Sequence, residues 1–284
     1  AAYTMPMQMG VEITRTDNPF EADTRLATSA RVVAPPVPTA NDWYAISAEV
    51  TRAYQAVNRM LEAGLSVFKA VSEDGPLFIV SASEPQSRSL LTEISNEIGV
   101  TVVADPPTLT MSTEQQAARI GIYQGWASSM DEGWTRWLLE EHGFSFSNLR
   151  TADVHAGDLR DRYDVIVLPS ERPGSLMNGF EAGSVPPSYE GGLGQEGIRE
   201  LDQFVRAGGT LVCMSASSDL CIDELHLPVS NATRGLARSE FFSSGSIFQV
   251  RVDTEHRVMA GMPELVIIFF VRRPVFSMDE GFQG

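Results

Sequence analysis

Apolar residues recur along this chain in two rhythms, one near 3.6 residues and one as short unbroken runs, and the two alternate. In residues 51–64, TRAYQAVNRMLEAG, the side chains of Tyr54, Val57, Met60 and Leu61 fall at helical spacing, and Gly64 supplies a C-terminal stop. SVFKAVS and LFIVSAS then read as strands, SLLTEISNEIG (89–99) as a second amphipathic helix ending on glycine, and VTVVAD as a further strand. Strands alternating with helices of this length predict a small, mostly parallel α/β layer.

From Arg119 the same grammar returns more strongly. RIGIYQ predicts a strand, 129–144 a helix, FSFSNLR a weaker strand, and YDVIVLPS (163–170) a strand whose unbroken V-I-V-L suits burial on both faces. A helix over 195–207 carries Ile198, Leu201, Phe204 and Val205 on one side, and Gly208-Gly209 release it into the strand TLVCMS. That order predicts a doubly wound, flavodoxin-like sheet with ligands beyond the C-terminal ends of its strands.

Proline-rich stretches at 32–40 (VVAPPVPTA) and 104–118 (ADPPTLTMSTEQQAA) punctuate the chain. They divide it into a leading segment (1–40), a small α/β domain (41–113) and a last domain (114–284). Between 170 and 195 lies a Gly-, Pro- and Ser-rich stretch without periodicity, of the kind that forms a lid, a binding loop or an insertion.

The helix over 129–144 carries a capping pattern, with Ser129 three residues before Glu132. Asp131 and Glu132 stand where the helix dipole favours negative charge. Trp134, Trp137, Leu138 and Glu141 follow at spacings of three and four, as a core-packed face would. This leaves GWAS (125–128), at the end of the first strand of that domain, as the loop where a ligand would sit, with Trp126 and Ser128 as its candidate contacts. The loop lacks G-x-G-x-x-G and the phosphate-loop pattern, so a nucleotide role is not expected.

At 284 residues and 43% hydrophobic content the chain is long enough for two cores. Its 37 acidic against 21 basic residues, a formal charge of −16, repel phosphate backbones and exclude nucleic acid as an expected partner. No apolar run reaches the length of a membrane span. The opening AAYTMPMQMG lacks the features of a signal peptide and an initiating Met, so the chain reads as a mature or excised piece of something larger. Cys213 and Cys221 are too few for a disulfide framework or a cysteine zinc site, and Cys213, inside a strand, reads as a small buried hydrophobe.

Candidate chemistry is sparse. The turn after TLVCMS, Met214-Ser215-Ala216-Ser217-Ser218, stands where hydrolases of this architecture place a nucleophile, but has neither G-x-C-x-G nor G-x-S-x-G. Ser215 or Ser217 with His226 or His256 is the nucleophile–base pair left to test. None of His142, His155, His226 and His256 starts an H-x-x-E pattern, so no metal site can be written. GGLG (191–194) offers Gly192 and Gly194 as an anion cradle ahead of a helix, or as a loop exit. Arg234, Arg238 and Glu240 form a charged cluster whose default is surface pairing.

The runs RIGIYQGWASSMDEGWTRWLLEEHGF, ADVHAGDLRDRYDVIVLPS, YEGGLGQEGIRELDQFVRAGGTLV and LPVSNATRGLARSEFFSSGSIFQVRVD, with the leading AYTMPMQMGV, resemble the C-terminal region of large bacterial zinc carboxypeptidase-like proteins of the metallocarboxypeptidase class. The resemblance covers nearly the whole chain. It implies a last domain similar to class I glutamine amidotransferases and degenerate at its elbow, and further strands after 266–270, where this chain instead runs VRRPVFSMDEGFQG. It also implies that zinc and peptidase chemistry belong to a peptidase domain outside this chain, which itself carries no cofactor. The implied partners are that peptidase domain and a possible homo-oligomer, in a periplasmic or extracellular setting. A non-catalytic accessory role follows. The alternatives are an active amidotransferase-like hydrolase using a strand-end serine, and a carbohydrate- or peptide-binding module using Trp126 and the 170–194 stretch.

Overall fold

The computed structural model describes residues 14, 16–26, 33–127, 129–259, 261–271 and 274–279. By spatial proximity the chain divides into two compact units. The first runs to Gln116 and takes in Ser243–Val271; the second holds Ala117–Phe242 with the strand at 276–278. Contiguous boundaries at 40 and 113 do not foresee that 243–271 groups with the first unit. Of the leading segment 1–40, residues 1–13, 15 and 27–32 lie outside the described ones.

In the first unit, β1 (Trp43–Ser47), α1 (Thr51–Glu62), β2 (Val67–Ser72), β3 (Gly75–Ser81), α2 (Ser87–Ile98), β4 (Val103–Ala104) and β5 (Thr110–Glu114) build one sheet of order β4-β1-β3-β2-β5 with two helices. Every pairing in it is antiparallel, which corrects the mostly parallel layer expected from alternation. The reason is local. Ser72 pairs with Gly75, so only Glu73 and Asp74 turn the chain, and a parallel return needs a crossover of about a dozen residues. Ala53, Ala56, Val57 and Met60 of α1 and Leu91 and Ile94 of α2 bury against Tyr44, Ile46, Val67, Phe78 and Val80. Asp105, at φ 44°, accepts from the backbone N–H groups of Asn41, Asp42 and Trp43. Those bonds hold its acid down at about 2, so this perturbed group is a brace for β1.

The second unit begins with β6 (Ile120–Tyr123), α3 (Met130–Glu141), β7 (Phe146–Leu149), α4 (Thr151–His155), α5 (Leu159–Arg162), β8 (Val165–Leu168), α6 (Pro173–Asn178), α7 (Gly194–Arg206), β9 (Thr210–Cys213) and α8 (Ser217–Glu224). The four strands form a parallel sheet of order β7-β6-β8-β9 flanked by helices. β10 (Val229–Asn231) pairs with the last strand at 276–278, and β11 (Ser246–Arg251) with β12 (Leu265–Phe270), the latter a hairpin of the first unit.

One face of the parallel sheet carries the larger core, in which Tyr123, Leu149, Ile166 and Leu168 meet Leu176, Ile198, Leu201, Phe204 and Leu220. Val205, expected on the packed side of its helix, is 41% exposed. Gly121 lacks a side chain because the Tyr163 ring packs there, 3.1 Å from where a Cβ would lie. On the other face Ile120, Ile122 and Val167 meet Leu139 and Phe144. Here the expectation of a core-packed α3 fails: Trp134 (63%), Trp137 (53%) and Leu138 are exposed, and the buried residue of the helix is Glu132.

The stretch 170–194, expected to be irregular, is built. It contains α6, a 3-10 turn at Pro187–Tyr189 and bridges from Phe180 to Glu190 and Gly191, and it buries Leu176 and Leu193. Cys213 and Cys221 form a disulfide across the β9–α8 turn, Cα atoms 6.8 Å apart, which corrects the reading of Cys213 as an unmodified hydrophobe.

Candidate functional site

Strand order in the parallel sheet reverses direction between β6 and β8, so the chain leaves their C-terminal ends towards opposite sides and opens a crevice there. A cleft of about 220 Å³ occupies this position, lined by Tyr123, Gln124, Trp126, Glu132, Arg150 and Glu171 among others. Each comes from the end of an element. Tyr123 closes β6, and Gln124 N–H extends the ladder to Leu149 O at 2.9 Å. Arg150 is the first residue after β7, Glu171 the third after β8, and Glu132 lies in the first turn of α3.

Arg150 organises one wall. Its Nη1 donates to the carbonyls of Gln124 (3.0 Å) and Gly125 (2.9 Å), and its guanidinium lies 4.0 Å from the centroid of the Trp126 ring. The Tyr189 ring stands edge-on to the same indole at 4.4 Å. Trp126, 42% exposed, is therefore held by its own unit from two directions. Ser128 lies outside the described residues.

The other charged residues of the lining, Glu132 and Glu171, are acidic. Burial pushes the Glu171 carboxyl above its usual range, and no described residue donates to that carboxylate. The Tyr123 phenol is raised, first by burial and then by the Glu171 charge, against the opposing effects of the Thr151 hydroxyl at 3.0 Å and Arg150. Ser129 Oγ accepts from Glu132 N–H at 3.3 Å, the serine half of the expected capping box; among the described residues the Glu132 side chain, 9% exposed, does not return to the Ser129 N–H and receives one long contact of 3.5 Å from Arg136. Gln124 Oε1 is buried without a donor among the described residues.

The elbow residues separate. Ser215 has φ 51° between β9 and α8, a conformation that costs a non-glycine residue about 1 kcal/mol or more. Ser217 is fully buried, its hydroxyl donating to Pro169 O and accepting from Glu171 N–H at 3.1 Å, so it ties α8 to the end of β8 and is no free nucleophile. His226 lies beyond the far end of the eight-residue α8, roughly 12 Å along the axis from the turn, out of hydrogen-bond reach of Ser215. His256 belongs to the first unit and accepts from Val258 N–H; His142 and His155 contact the Leu138 and Leu193 carbonyls.

Gly192 and Gly194 serve the backbone. A Cβ at Gly192 would overlap the Leu176 carbonyl oxygen, and Gly194 opens α7 at φ 55°. Arg234 pairs with Asp219 and Asp223, Arg238 covers the Phe242 ring, and Glu240 accepts from Ala237 N–H. Asp164, held well below the carboxylate range by Arg119 and Arg160, braces the N-terminal ends of β6 and β8, away from the cleft. Among the described residues no group of three or more His, Cys, Asp or Glu is placed to hold a metal, and no helix is long and apolar enough to cross a membrane.

Arg150, Glu171, Gln124 and Tyr123 were missed in the sequence, and Glu132 was read only as a cap. The usable signal was position: each lies at, or within three residues of, the C-terminal end of a strand, or in the turn of helix that follows one. Comparison with protein families, with curated proteins and with solved structures finds no match to this chain.

Proposed function

We propose that the chain is a non-catalytic accessory region of a zinc carboxypeptidase-like protein, whose doubly wound, flavodoxin- and amidotransferase-like domain binds a small ligand at the β6/β8 crevice. The observation that carries this reading is the strand-end cleft, where Arg150, Trp126, Glu132 and Glu171 converge from four elements. The elbow supports the absence of catalysis, since Ser217 is engaged by backbone groups and His226 stands at the wrong end of α8. The Cys213–Cys221 disulfide supports a periplasmic or extracellular setting, because such bonds persist in oxidising compartments.

The test uses the purified chain with added zinc and peptide substrates, together with a fluorophosphonate probe. Neither release of C-terminal residues nor labelling is expected. Zinc-dependent release would overturn the accessory reading. One observation favours the hydrolase instead, the positive φ of Ser215 at a strand-to-helix turn; stoichiometric labelling lost in Ser215→Ala would establish it.

A further inference from the structure

The cleft is mismatched in hydrogen bonding. Its acceptors are Gln124 Oε1 and the Glu171 carboxylate, neither with a donor among the described residues, and the Glu132 carboxylate, whose side chain is nine-tenths buried with one 3.5 Å contact from Arg136. Its cation, Arg150, already spends Nη1 on two backbone carbonyls and lies against Trp126; the Tyr123 hydroxyl is shared with Thr151. Glu132, nine-tenths buried with one long contact, and the Gln124 amide oxygen, buried without a donor among the described residues, carry a desolvation cost that a bound donor can offset, and the half-buried Glu171 adds a second charge beside them.

Resting on the ligand-binding reading above, we propose that the cleft takes a protonated amine, its ammonium group placed between Glu171, Glu132 and the Gln124 amide oxygen. An ammonium group presents three donors and no acceptor, which matches this set. An anionic ligand would meet two carboxylates. A divalent cation needs more oxygen ligands than two acids supply, and no metal-holding group of three or more such residues occurs among the described residues. The volume, about 220 Å³, holds roughly seven waters, so the group that enters is a small amine or the amino end of a longer chain.

The charged and titratable groups around the site are Glu132 and Arg136 of α3, Tyr123, Arg150 and Glu171. Glu171 is the one whose acid is raised by burial, so amine affinity declines on acidification sooner than an ordinary carboxylate would make it. The same burial means that ionised Glu171 opposes folding. Its folded pKa lies above its unfolded one, so stability falls as pH rises through that range, and Glu171→Gln removes the cost.

The experiment is an NMR titration of the full chain with ethylammonium chloride, ethanol and sodium acetate. Ethylammonium is expected to shift the Trp126 indole and the Gln124, Gly125 and Glu171 amides to saturation, with ethanol and acetate inert. Glu171→Gln is expected to weaken the effect about tenfold or more, the loss of one charge-assisted hydrogen bond, while raising the melting temperature, which shows the variant folded. If acetate saturates these signals and ethylammonium does not, the ligand class is wrong and the binding site stands. If no probe moves them, the amine proposal falls. If ethylammonium instead saturates amides outside the cleft and leaves these signals unmoved, the site has been misplaced and both readings fall.

Discussion

The two faces of the parallel sheet are built from similar helices and put to opposite uses. α7 turns Ile198, Leu201 and Phe204 into a continuous core and leaves charged residues outside. α3, one residue shorter, also carries large apolar residues at helical spacing, yet Trp134, Trp137 and Leu138 are exposed and the side chain it buries is a glutamate. The difference teaches that helical spacing alone does not say what a helix buries: α7 buries an apolar stripe, whereas α3 buries an acid beside the end of a parallel strand, at the cleft. The α7 side also carries the disulfide, which closes the β9–α8 turn.

Three substitutions sharpen this contrast. Phe204→Ala is expected to destabilise the second unit by about 3–5 kcal/mol, since the ring is 2% exposed and leaves a cavity between α7 and the sheet; urea unfolding measures it. Cys221→Ser is expected to cost about 2.5 kcal/mol, the loop-closure value for residues separated by eight, and reductant should lower the midpoint of the wild-type chain but not of the variant. Trp137→Ser on α3 should change stability by no more than about 0.5 kcal/mol. A loss as large as that of Phe204→Ala would show the two faces to be equally packed and dissolve the comparison.

Much of the second unit was legible. β6, β8, β9 and α7 lie where the apolar runs and the 3.6-residue period put them, because a strand buried on both faces needs a run such as Val165–Leu168 and a helix on a sheet needs an apolar stripe. The Ser129 cap was legible too, because capping is a contact within four residues. In the first unit the same alternation misled, although the two residues between β2 and β3 held the corrective signal: no crossover fits in Glu73–Asp74. The candidate site was half legible. Trp126 was found because its loop ends a strand, while Arg150 and Glu171, 24 and 45 residues further on, were not.

By itself the sequence determined the elements: their periods, their caps, the glycines that end them, and the acidic charge of −16, from which nucleic acid is not expected as a partner. These are local or summed properties and survive without knowledge of neighbours. Only the tertiary structure decided the solvent exposure of the α3 tryptophans, the joining of Cys213 to Cys221, and the meeting of Gln124, Glu132, Arg150 and Glu171 around one cleft. Those outcomes depend on which surfaces face each other after the chain has crossed over, and no short-range pattern encodes them.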